Sequence, residues 1–151
     1  MNQHVIWAKP GFEINQAIQD FLAGGDIILD QELFLYDIEA SKAHTSGLSR
    51  IGVLSQSENE QLQVQLDSLA NLFQQGQFIL DARFEDGHSA IEQYLTEQLG
   101  DIGKKIHTGR SRNDQVLVAS RLWLKHQLET LATSCKAISA VALQRAQSES
   151  L

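Results

Sequence analysis

Apolar positions recur at intervals of three and four along most of this chain, a spacing that predicts helices with one buried face. Ile14, Ala17, Ile18 and Phe21 mark the first, and Gly24, Gly25 and Asp26 form the loop after it. Asp30 is placed to cap a second helix over 30–50, whose pattern runs through Leu33, Tyr36, Asp37, Ala40, Ala43, His44 and Leu48. Gly52 closes that element. Two capping boxes, Ser55 with Glu58 or Ser57 with Glu60, can start a third helix that carries Leu62, Leu66, Leu69, Leu72 and Phe73 and stops at Gly76. Residues 78–84 read as a short extended connection. A fourth helix follows Asp86-Gly87-His88, with Ile91, Tyr94, Leu95 and Leu99 in its pattern and Gly100 at its end.

The last stretch is different in kind. From 113 to 151 there is neither Gly nor Pro, and Leu124, Leu128, Leu131, Cys135, Ile138 and Ala142 alternate by four and three, the knob spacing of a helix bundle. At ~1.5 Å per residue such a helix runs roughly 55–60 Å, too long for the short helices before it to cover. Its apolar edge calls for other long helices, from more of the same protein or from other copies. Cys135 in that edge reads as a small core residue. The expected fold is all-α, with a compact helical domain over 1–112 and the start of a long bundle helix over 113–151.

Composition narrows the class. With 42% hydrophobic and 21% charged residues over 151 positions, the chain has the balance of a globular domain with a sizeable core. The single Cys excludes an internal disulfide framework and fits a reducing compartment. The N-terminal residues lack the apolar run of a signal peptide, and no stretch reaches the roughly 20 apolar residues of a membrane span. A cytoplasmic protein is expected, with no membrane partner. A net charge of −7 argues against general nucleic-acid binding. No His, Cys and carboxylate set has metal spacing, so neither metal nor cofactor is expected.

Against that acidic background, four of the twelve Lys and Arg residues (Lys104, Lys105, Arg110 and Arg112) fall within 104–115. The segment ends where the long helix begins, and a helix N-terminus offers unpaired N–H groups and a favourable dipole to an anion. Gly100-Asp101-Ile102-Gly103-Lys104 invites comparison with a phosphate-binding loop, but it lacks the four-residue gap between glycines and the hydroxyl after Lys.

The string Ile106-His107-Thr108-Gly109-Arg110-Ser111-Arg112-Asn113-Asp114-Gln115-Val116, followed by Arg121-Leu122-Trp123-Leu124-Lys125, resembles the first signature region of the argininosuccinate lyases, within the fumarase/aspartase superfamily. Ala40-Ser41-Lys42-Ala43 and Asp86-Gly87-His88 resemble the same family in the same order. The resemblance is loosest over the first thirty residues. There Trp7 and Phe12 match, Lys9 stands where an Arg is usual, and a substrate-binding Ser has no counterpart near Ala23-Gly24-Gly25-Asp26.

What the resemblance implies is specific. The family cleaves argininosuccinate to arginine and fumarate in arginine biosynthesis, by removing a proton beside a carboxylate and expelling a guanidinium nitrogen. Donors that stabilise the dianionic intermediate are needed, and Ser111, Arg112 and Asn113 fit that role, with Asn113 in direct substrate contact. His88 and Lys42 are implied at the site; Arg110 is implied as structural, and Asp114 as a cap or a partner for an Arg. The family's general acid–base groups come from two later regions, a Thr-His pair and a mobile Ser-bearing loop, so no catalytic residue is expected in this chain. It reads as an N-terminal part of a homotetrameric lyase, inactive alone. Delta-crystallins of the same family are structural proteins, so a non-catalytic helical oligomerisation or structural role is the competing expectation.

Overall fold

The computed structural model describes residues 25–81 and 83–150. The expected helix over 14–21, and the readings placed on Trp7, Lys9, Phe12 and Ala23, lie outside the described residues. Within them the fold is all-α, with no strand. Helix α1 is Asp26–Arg50, α2 is Gln56–Gln74, α3 is Gly87–Leu99, a 3-10 helix follows at Gly100–Lys105, and α4 is Arg112–Glu149.

Each boundary has a local cause. Ser55 caps α2 in a reciprocal box, accepting from the Glu58 N–H while its own N–H donates to Glu58; of the two boxes available, this is the one used. Asp86 caps α3 by accepting from the Ser89 N–H at 2.8 Å. Gly100 ends α3 at φ 61°, a left-handed conformation that costs a glycine nothing. The expected cap for α1 is corrected. The helix begins at Asp26 behind Gly25 with no side-chain cap, which places Asp30 inside it. The Asp30 carboxylate instead accepts the Gly87 N–H at 2.7 Å, joining α1 to the start of α3 across 57 positions of sequence.

Three helices then close one core. Phe34, Ile38 and Leu48 of α1 meet Leu62, Leu66 and Leu69 of α2 and Ala90, Ile91 and Leu95 of α3. Each fully buried Leu or Ile contributes about 1.5–3 kcal/mol relative to leaving it in water. The connection before α3 is irregular rather than extended, and aromatic rings hold it. Phe78 stacks on Phe34 at 5.7 Å and on Phe84 at 5.6 Å, and meets Tyr94 edge-on at 6.0 Å.

Helix α4 packs along α1 only at its beginning. Gln115 and Ala119 are buried, Leu122 and Trp123 are half-buried, and His126 lies 6.2 Å from the Tyr36 ring. From Leu124 to Ser150 every residue is exposed. Leu128, Leu131 and Ile138 stand 55%, 59% and 71% open. Cys135 is likewise exposed within the chain, correcting its reading as core: the edge it belongs to has nothing packed on it among the described residues.

Candidate functional site

Residues 100–115 fold back on the head of the molecule before α4 leaves it. The 3-10 helix buries Gly103 against α3, and Ile106 enters the core. A turn at Gly109 (φ 75°) reverses the chain, so that Arg110 and Ser111 lead into α4. Ser111 is the N-cap: its hydroxyl accepts from the Asp114 N–H, and the Asp114 carboxylate accepts the Ser111 N–H at 2.8 Å. Asp114 is therefore a capping residue. The cap's hydrogen bonds also hold its carboxyl below the usual range.

The four cations of this segment all have partners inside the chain. Lys104 pairs with Asp101 at 2.7 Å and Lys105 with Glu58 at 2.6 Å, tying the 3-10 helix to the start of α2. Arg110 donates to the buried Ser41 hydroxyl at 2.9 Å and is itself half-buried. Arg112 donates to Glu85 at 2.8 Å and to Ser89 at 3.3 Å, and its Nε lies 3.0 Å from Asp86. The anion site suggested by charge alone is thus largely neutralised from within. Arg112 acts here as a clamp that fixes the start of α4 to the start of α3.

Against the five expected ligand contacts, the geometry is selective. Ser111 is committed to the cap and Arg112 to the clamp. Lys42 lies apart from them, paired with Asp67 of α2. Asn113 is exposed, and its side-chain amide has no hydrogen-bond partner among the described residues. His88 is buried at the start of α3, its Nδ1 in contact with the Asp37 carboxylate. The backbone N–H groups of Arg112 and Asn113, in the first turn of α4, have no partner among the described residues and face outward as helix termini do.

A second histidine supports the floor of this region. The His107 Nε2–H donates to the His88 carbonyl at 3.4 Å, and its Nδ1 accepts from the Gln115 amide. That pattern requires the neutral ring. Burial and the nearby Arg110 guanidinium push its pKa down to about 4. The unfolded chain, with an ordinary His pKa of ~6.5, takes up this proton first as pH falls. Stability is therefore lost between ~6.5 and ~4, by an amount on the order of 3 kcal/mol. Urea midpoints at pH 7, 5.5 and 4.5 are expected to fall for the wild type and to flatten in His107→Gln. His44 has a structural place too, its Nε2 lying 2.9 Å from the Thr108 carbonyl oxygen.

Sequence reasoning missed Asp30, Asp37 and Glu85 as contributors. Asp37 sits at a core-facing position of α1 and was read as part of the apolar pattern. A carboxylate at an apolar spacing was the available signal, because a buried charge requires a partner.

An all-α head whose signature turn caps a long, laterally bare helix is the architecture this chain presents. A family model described as "Lyase" matches residues 24–150, and the chain belongs to that family. It is 60% identical over 146 residues to the argininosuccinate lyase of Xanthomonas axonopodis pv. citri (strain 306), covering 97% of this chain. The argininosuccinate lyase of Xanthomonas euvesicatoria pv. vesicatoria (strain 85-10) is similar to the same degree, at 60% over 146 residues and 97% of this chain. That of Stenotrophomonas maltophilia (strain R551-3) is 57% identical over 145 residues, or 96% of this chain. The chain spans 34% of the length of each of these relatives. Among the described residues no helix is long and apolar enough to cross a membrane, and no cluster of His, Cys, Asp and Glu could hold a metal ion.

Proposed function

We propose that this chain supplies the substrate-binding segment of an argininosuccinate lyase, acting in arginine biosynthesis in the cytoplasm. The observation that carries the reading is Asn113, an uncommitted amide at the head of α4 beside two uncommitted backbone N–H groups. Together they form a small array of donors suited to a carboxylate of argininosuccinate or fumarate, and to the charge that develops there during elimination. Ser111 and Arg112 hold that array in place through the cap and the clamp, and His88 completes its wall. Lys42 joins only by exchanging Asp67 for ligand, which a half-exposed pair worth about 0–1 kcal/mol permits. The acid–base groups lie outside this chain on this reading, so turnover by the 151 residues alone is negligible.

The bare apolar edge of α4 supports a homo-oligomer, a tetramer by resemblance, in which 1–112 is a head domain and 113–151 enters a shared bundle. An exposed patch of that kind marks an interaction surface. It also keeps the structural reading alive, since a crystallin-like protein needs the bundle and not the donors. Amide NMR separates the two. Argininosuccinate added to the chain should shift the backbone resonances of residues 111–115, and Asn113→Ala should abolish the response. A chain that assembles through α4 and shows no ligand-dependent shift there is a structural protein.

A further inference from the structure

Below the donor array lies a polar cluster that the substrate reading does not use. Asp37 is 3% exposed and His88 is 6% exposed. One carboxylate oxygen of Asp37 meets His88 Nδ1, and the other has no hydrogen-bond partner. The Arg110 Nε is buried and unpartnered as well, while its Nη2 holds Ser41, one turn along α1 from Asp37. A carboxylate taken this far out of water persists only where a cation or a strong donor answers it. His88 is that donor. Its ring is fixed on one side by Asp37, and its Nε2 has no hydrogen-bond partner among the described residues.

We propose that Asp37 is a positioning residue for His88: its carboxylate accepts the hydrogen bond from Nδ1–H, fixes the ring, and leaves Nε2 as the atom that meets the ligand bound at the head of α4. This rests on the substrate-binding reading for the ligand but not for the Asp37–His88 pair. The arrangement is the one by which a buried carboxylate sets the tautomer of a working histidine, with the other ring nitrogen turned to its task.

The neighbouring histidine serves as an internal control. The two rings lie edge-on at 6.4 Å. Both are buried. His107 answers an amide and a carbonyl and is held neutral, whereas His88 answers a carboxylate. Burial pushes His88 down, but the Asp37 hydrogen bond and the charges of Asp37, Asp86 and Asp30 outweigh it and raise its pKa. Arg110 and Glu92 face His107, and Arg112 with its partner Glu85 stands beside Asp86 and Ser89, next to His88.

Imidazole nitrogen NMR of the 151-residue chain tests the proposal. Above its titration midpoint the wild-type His88 should carry its proton on Nδ1, with Nε2 bare; a neutral ring protonated on Nε2 overturns the proposal, and no variant is needed to see it. Asp37→Asn, nearly isosteric, should lower the His88 midpoint by at least about one pH unit, the scale of a lost opposite charge. An unchanged midpoint overturns the assignment. Argininosuccinate should shift Nε2 in the wild type, and Asp37→Asn should weaken that response by about tenfold while buried core amides stay in place. If the amides of 111–115 ignore the ligand, the substrate reading has failed, and the proton position and midpoint still decide Asp37 on their own.

Discussion

Gly103→Ala is expected to destabilise the chain by about 3 kcal/mol, at the upper end of what overpacking a core usually costs. A Cβ at this position would lie 2.3 Å from the Leu95 carbonyl carbon, 2.4 Å from its oxygen and 2.5 Å from the Thr96 nitrogen. All three atoms are backbone of α3, so no side chain can swing aside. Either the 3-10 helix lifts away from α3 or α3 itself bends. Lifting withdraws Ile106 from the core and pulls on the Lys105–Glu58 pair, and through the turn at Gly109 it shifts the cap of α4. Urea denaturation reads the loss directly, and a variant as stable as the wild type would mean that the 3-10 helix is not seated on α3 as described. Gly100→Ala is an informative comparison, because a Cβ there meets open space and the cost is only that of φ 61°.

Asn113→Ala is expected to do the reverse, leaving stability nearly untouched and removing function. The side chain is exposed and has no hydrogen-bond partner among the described residues, so truncation should change stability by less than about 0.5 kcal/mol. Turnover requires the rest of a lyase, and a chimera supplies it: this chain replaces the corresponding segment of the Xanthomonas axonopodis pv. citri relative. In that protein Asn113→Ala should lower kcat by roughly 10²–10³-fold, the usual consequence of deleting one donor aimed at developing negative charge. Arg112→Ala should differ in character. It breaks contacts to Glu85, Asp86 and Ser89, so it should loosen the start of α3 as well as reduce activity.

How far these features were legible in advance depends on the range of the interaction that creates them. The stop at Gly100 and the apolar faces of α2 and α3 are local, and spacing with cap chemistry was sufficient to place them, whereas the cap of α2 was narrowed only to Ser55 or Ser57. Asp30 was misread because Asp near a helix start is ordinarily a cap, and its true partner, the Gly87 amide, is distant in sequence. Gly103, in a segment that fails as a phosphate loop, is a point of close backbone contact, which only the approach of α3 makes visible. The signature string implies, by resemblance, where a ligand site is expected. It did not show that Arg110 and Arg112 spend their donors on Ser41, Ser89, Glu85 and Asp86, since those partners arrive from α1 and α3. The bare edge of α4 was legible because a period-3.5 apolar pattern longer than its neighbours has nowhere else to go.

The most direct test of the account is an argininosuccinate cleavage assay, followed by fumarate formation, on the 151-residue chain and on the chimera side by side. No measurable turnover is expected from the chain alone, and turnover close to that of the parent lyase from the chimera. A chimera that folds and assembles but cannot cleave argininosuccinate, or a chain that cleaves it unaided, would contradict the claim that these residues form the binding segment of a larger catalytic site.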